Sequence, residues 1–171
     1  AFVQKAERPA LFVGHGVTLS EASDELPQLV DLLDLPLISS PNGMGTLDMN
    51  HPRSLGFIGR NGAFPANQAG RNADIIIAIG ARFDDRSSSS WIPGYSWDFA
   101  RSKLVHIDID ADEIGRNYPV TIGAVADART FIRQLTTALR EGAEMSRRRA
   151  SPWFEAIEGW KREWQAFIDA V

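Results

Sequence analysis

Chemistry-bearing side chains are densest in IGARFDDRSSSS, Ile79–Ser90. An apolar run, IIIAIG (Ile75–Gly80), discharges directly into Arg82, Asp84, Asp85 and Arg86, with Phe83 among them and Ser87–Ser90 behind. A guanidinium is a planar fork of donors that matches phosphate oxygens. The aspartates can steady the arginines or accept from sugar hydroxyls. A surface salt-bridge cluster would use the same residues, but their place at the carboxyl end of a strand favours a ligand site. Asp108 and Asp110 close a second run, KLVHIDID (Lys103–Asp110). An acidic residue there commonly receives ribose hydroxyls in dinucleotide-binding folds. Asp110 fits better as a helix cap, because DADEIGR reads as a short helix start.

Glycines surround these candidates. VGHGVTLS (Val13–Ser20) carries Gly14 and Gly16, which allow close backbone approach. Leu19 stands where GxGxxG would have its third glycine, so a tight βα turn explains the stretch better than a dinucleotide fingerprint. PNGMG and LGFIGRNG add Gly43, Gly45, Gly56, Gly59 and Gly62. They suit backbone lying against something flat or extended, or simply an irregular loop. His15, His51 and His106 lack metal-ligand spacing, and His106, inside a strand, reads as a packed core residue. The sequence holds no nucleophile elbow, HExxH or P-loop. It holds no cysteine, which excludes disulfides and thiolate chemistry and is compatible with a reducing cytoplasm.

The elements that must position these residues follow from hydrophobic periodicity. Strands are expected at Ala10–Gly14, Leu35–Ser40, Ile75–Gly80, Lys103–Asp110 and Val120–Val125. Leu26, Leu29, Val30 and Leu33 mark a helix that starts late or kinks at Pro27. Pro65–Asn72 reads as a helix, and Asp127–Arg140 as another with Asp127 as its cap. The segment Pro41–Gly62 reads mostly as loop, and Ser87–Ser90 with Trp91 and Trp97 as a polar, mobile loop. Strands alternating with helices predict an α/β, doubly wound parallel sheet, with ligands at the carboxyl ends of its strands. A last helix opens at Ser151-Pro152 and repeats Trp153, Ile157, Trp160, Trp164, Phe167 and Ile168 at helical spacing. That face packs either on this domain or on a neighbouring one.

The 171 residues suit one ordinary domain, and 44% hydrophobic content supplies a core. A net charge of −4 argues against a generic nucleic-acid binder; Arg147–Arg149 is the only basic run. No apolar run approaches the roughly 20 residues of a membrane span, and no signal peptide is visible. The opening AFVQKAERPA leads directly into a strand, as in a piece of a longer protein.

GARFDDR (Gly80–Arg86) followed by VHIDID and EIGRN closely resembles the central domain of acetolactate synthases. RPALFVGHG, PLISSPNGMG, HPRSLGFIGRNG and ANQAGRNADIIIAIG fall in the same order, so the likeness runs from Arg8 to about Arg140. It implies a six-stranded, Rossmann-like parallel domain that holds extended FAD without a redox step. Implied contacts come from Gly14, Gly16, Ser40, Pro41, Arg60, Asn61, Gly62, Gly80, Arg82, Asp84, Arg86, Asp108, Ile109, Asp127 and Ala128. The polar cluster after IIIAIG, with Arg82 and Arg86, would grip the pyrophosphate and ribityl part, and Asp108 the adenosine ribose. Three positions depart from the family: His15 for a glycine, Arg60-Asn61 for Met-His at a flavin-side contact, and Ser87–Ser90 for a helix start.

The resemblance further implies a longer enzyme that is a cytoplasmic homodimer or homotetramer. Its other domains would bind thiamine diphosphate and Mg2+, whose GDG and paired-asparagine motif is missing here. Residues 1–145 would be the nucleotide-binding domain, and 146–171 a linker and helix toward the catalytic domain. The chain by itself is expected to be inactive. Alternatives are an ADP-binding or purely structural domain of a related decarboxylase, acyltransferase or hydrolase, and, in another class, a free-standing NAD-binding protein.

Overall fold

Ile75–Ile79 is buried along its whole length, as its unbroken β-branched run requires of a strand covered on both faces. This strand, β4, lies at the centre of the sheet in the computed structural model, which describes residues 5–141 and 151–170. The others are β1 (Pro9–Val13), β2 (Leu37–Ser39), β3 (Ser54–Phe57), β5 (Lys103–Asp108) and β6 (Ile122–Val125). Their order is β3-β2-β1-β4-β5-β6, and every pairing is parallel. The register runs Leu37–Leu11–Ile77–Val105–Ile122 across five strands. The expected doubly wound α/β architecture is present, with all six strands.

The period of two along each strand divides the core. Ala10, Phe12, Ile76, Ala78 and Leu104 face one layer, with α3 (Phe64–Asn72) and α5 (Pro152–Asp169). Leu11, Val13, Ile75, Ile77 and Ile79 face the other. There they meet α1 (His15–Leu19), α2 (Leu26–Leu33) and α4 (Ala128–Glu141). Pro27 sits in the first turn of α2, so the helix starts late and has no need to kink. Asp127 Oδ1 accepts from the Thr130 amide, as a cap should. Ser151 precedes α5, but its side chain makes no capping hydrogen bond.

Two expectations need correction. β3 lies inside the segment read as loop: four residues at the sheet edge, bent at Gly56 (φ 81°), are too short and too irregular to show a periodicity. The serine stretch is a packed plug instead of a polar, mobile loop. Ser87, Ser88 and Ser89 are buried, and the Trp97 and Trp91 indoles donate to the Ser87 and Phe83 carbonyls at 3.0 and 3.1 Å.

The last helix is divided. Trp153, Phe154 and Ile157 are buried, and the Trp153 indole donates to the Pro9 carbonyl at 3.1 Å. Further along, Trp164 stacks on Phe167, and Phe167 and Ile168 are exposed. The boundary drawn at residues 145/146 and the basic run Arg147–Arg149 lie outside the described residues.

Candidate functional site

Because β1 lies between β2 and β4, the carboxyl ends of four strands come together at the point where the strand order reverses. They deliver Gly14, Ser40 and Pro41, Gly80 to Arg86, and Asp108 and Ile109 to one edge of the sheet. The turns after β3 and β6 add Arg60–Gly62 and Asp127–Ala128 to that edge.

Its floor is bare backbone. The Gly14 amide donates to the Ile79 carbonyl and the Gly16 amide to the Gly80 carbonyl, each at 3.0 Å. A Cβ on Gly16 would stand 2.7 Å from the Gly80 Cα, and one on Gly14 would collide with the Gly80 carbonyl. These glycines approach each other, and their contact keeps the crevice floor free of side chains. The Gly59 amide and carbonyl pair with the Asn67 amide group, and the Arg60 amide donates to the Arg86 carbonyl.

GARFDDR is organised around Phe83. Its ring is buried among Phe12, Trp97, Phe99, His106 and Tyr118 at centroid distances of 5.1 to 5.6 Å. Anchoring Phe83 inward turns its neighbours outward: Arg82 has 72% of its side chain exposed. Behind it, Glu113 is buried, with its carboxylate 3.7 Å from Arg82 Nε and 2.8 Å from Arg116. Asp84 accepts from the Ser87 amide and hydroxyl, both at 2.8 Å, and so closes a turn without touching the arginines. Arg60 spans to Asp85 and Ser90, both at 2.9 Å. Arg86 is exposed and makes no ion pair among the described residues.

Asp108 is mostly buried, and one oxygen accepts from the Asp110 amide at 3.0 Å. Its other oxygen retains acceptor capacity. Asp110 caps the turn at Ala111–Glu113, as expected. Ser40 accepts from the Gly43 amide, and His15 Nδ1 faces the Asn42 carbonyl at 3.1 Å. Ile109 is exposed at the rim, whereas Ala128 turns its side chain into the core and leaves only its backbone for a ligand. The Thr130 amide holds the Asp127 carboxyl below its ordinary range.

His106 is the packed core residue its strand position predicts. Burial lowers its pKa, and Nε2 lies 2.8 Å from the Ala81 carbonyl. Sequence reasoning missed Glu113, Asn117 and Asn67 as parts of the site. For Asn67 a signal existed: an amide between Ala66 and Ala69 on the buried face of α3.

Known proteins carry similar segments. The family described as "Thiamine pyrophosphate enzyme, central domain" matches residues 1–135. The chain is 36% identical over 167 residues to a probable acetolactate synthase large subunit of Methanococcus aeolicus, covering 94% of this chain and 27% of that one. It is 39% identical over 138 residues to a probable acetolactate synthase large subunit of Methanocaldococcus jannaschii, covering 80% and 22%. It is 32% identical over 157 residues to the acetolactate synthase isozyme 3 large subunit of Escherichia coli, covering 91% and 27%. The chain thus spans roughly a quarter of these relatives' length, 22% to 27%. Such a match displaces the free-standing NAD-binding alternative. With its parallel sheet in the order β3-β2-β1-β4-β5-β6 and that match over most of its length, the chain belongs to the central-domain family of thiamine pyrophosphate enzymes.

Proposed function

We propose that this chain is the FAD-binding central domain of an acetolactate synthase-like carboligase. The observation that carries the reading is Arg82: a mostly exposed guanidinium at the end of β4, beside the sheet's switch point, with buried Glu113 behind it. Arginine in that position suits a pyrophosphate. The residues present fit the group. Paired glycines leave bare backbone for close approach, Asp108 retains acceptor capacity for ribose hydroxyls, and exposed Ile109 and Met44 offer apolar surface to a flat ring. FAD here would serve as a structural group and supply no redox step.

Under this reading the full-length enzyme joins a two-carbon unit from decarboxylated pyruvate to a second keto acid. It uses thiamine diphosphate and Mg2+ held by other domains and works as a cytoplasmic homodimer or homotetramer. The isolated chain is inactive. Residues 1–145 bind the nucleotide, and residues 146–171 lead toward the catalytic domain.

One observation favours a second reading. Arg60, on the side where the resemblance puts the flavin, is tied to Asp85 and Ser90 and acts as a strut between loops. The adenosine side, at Asp108, stays open to a ligand. ADP alone would satisfy that arrangement, as in a related decarboxylase, acyltransferase or hydrolase.

Titration with FAD and with ADP, repeated on Arg82→Ala, separates the readings. Saturable FAD binding that weakens in the variant by about 1.5–3 kcal/mol, the scale of a charged hydrogen bond, supports the first. ADP binding without a flavin preference supports the second. Binding of neither by folded protein rejects both and leaves a structural spacer.

A further inference from the structure

Arg82 immediately precedes a backbone reversal that ordinary side chains avoid. Phe83 has φ 51°, in the left-handed region that is unfavourable for any residue with a Cβ. Such a conformation persists only where its surroundings over-determine it. Here the surroundings are side chains on three successive carbonyls. His106 Nε2 meets the Ala81 carbonyl at 2.8 Å. Asn117 Nδ2 meets the Arg82 carbonyl at 3.4 Å and the Phe83 carbonyl at 3.1 Å. The Trp91 indole shares the Phe83 carbonyl.

His106 is a costly way to fill a core position. A carbonyl only accepts, so Nε2 carries the proton in the neutral ring and Nδ1 is left as a bare acceptor. That Nδ1 is buried and has no hydrogen-bond partner among the described residues. A leucine would fill the space without an orphaned polar atom, but would leave the Ala81 carbonyl unpaired. The Nε2–H donor is what histidine supplies to this turn and leucine would not. Asn117 is different: it is an exposed side chain reaching back to the same turn from beyond the Ala111–Glu113 cap.

We infer that His106 and Asn117 are positioning residues for Arg82: they lock the Ala81–Phe83 turn so that the guanidinium faces the crevice ready to receive a phosphate. Neither touches the ligand. This inference rests on the nucleotide reading only for its consequence in binding; the locking of the turn is a property of the chain itself.

The test uses His106→Leu, His106→Gln and Asn117→Ala, each with and without Arg82→Ala. Two quantities are measured: backbone order parameters from nitrogen relaxation at Arg82–Asp84 without ligand, and dissociation constants for ADP and FAD. In His106→Leu and Asn117→Ala, the order parameters at those residues fall, and binding weakens by about tenfold, as for loss of one hydrogen bond. His106→Gln, which keeps an N–H at similar reach, stays near the parent. In the Arg82→Ala background the same substitutions produce no further loss of affinity, because they act through Arg82. Full additivity with Arg82→Ala, or unchanged order parameters, would overturn the inference. If the parent binds neither nucleotide, the nucleotide reading fails, and the order parameters at Arg82–Asp84 still decide whether the turn is locked. Should His106→Leu not fold, Asn117→Ala at the surface decides the question by the same two measurements.

Discussion

Phe83 points into the core while Arg82 and Asp84 on either side face solvent. A phenylalanine inside a charged stretch is the feature that makes GARFDDR a structured turn: burial of its ring holds a backbone conformation that is unfavourable by itself. Phe83→Ala is expected to destabilise the fold by about 3–5 kcal/mol, the range for a buried aromatic, measured by denaturant unfolding. Loss below about 0.5 kcal/mol, the scale of a surface change, would mean the ring is dispensable to the core. His106 carries a pH dependence whose sign follows from burial. Its folded pKa lies below the ordinary 6.5, because desolvation outweighs the Ala81 carbonyl and the charges of Asp108 and Glu113. The unfolded chain therefore takes up the proton first as pH falls. The stability linked to neutral His106 is complete above the unfolded pKa and declines below about pH 6.5. Unfolding midpoints measured from about pH 8 to about pH 5, a range that brackets this titration, should fall more steeply for the parent than for His106→Gln.

Between elements, α2 and α4 are joined on one face of the sheet chiefly through the Glu25 carboxylate. Glu25 receives Arg129 Nε at 2.7 Å and Arg133 at 2.6 Å, and Arg140 reaches Gln28 one turn on. The Arg129 hydrogen bond, more than the added charge of Arg133, holds the Glu25 carboxyl below its ordinary 4.5. A depressed carboxylate contributes stability that is present above the unfolded pKa and is lost as pH falls through the folded one. Glu25→Gln should lower the melting temperature near neutral pH and flatten the acid limb of the stability curve; an unchanged acid limb would place the acid sensitivity elsewhere. On the opposite face α5 depends on Trp153, which joins ring burial to a hydrogen bond with the first residue of β1. Trp153→Ala is expected to cost about 3–5 kcal/mol. Proteolysis should then release α5 before the sheet core is cut, and simultaneous loss of both would contradict a separately anchored helix.

Across the whole molecule, the decisive contact is between two turns far apart in the chain. The β1–α1 turn lies on the end of β4 so closely that neither Gly14 nor Gly16 tolerates a Cβ, and Gly80, against both, takes φ 57°. This contact brings the two halves of the doubly wound sheet together at its switch point and clears the crevice floor in the same move. Gly14→Ala forces backbone apart and should destabilise by about 1–3 kcal/mol or more. It should also weaken nucleotide binding even under conditions where the variant remains folded. Retained affinity in a folded Gly14→Ala chain would show that the floor can shift without consequence.

Periodicity alone revealed the elements whose burial is symmetric or strongly one-sided: IIIAI, the α2 stripe and the Asp127-capped α4 were legible because apolar spacing reports which faces meet a core. Local chemistry also identified Asp110 as a cap and His106 as a core residue. The family resemblance rested on string order, which needs no coordinates. What sequence could not reveal depends on residues distant in the chain. The edge strand β3 has too few residues for a period and exists because Leu37 and Ser39 offer it partners. The serines after GARFDDR read as mobile because serine is polar, yet Trp97, Asn67 and Ser96 enclose them. Gly14 and Gly16 announce a close backbone approach, and only the tertiary structure shows that Gly80 is the backbone they meet. A sequence records how willing a residue is to be buried or to bend; only packing determines which neighbour arrives to meet it.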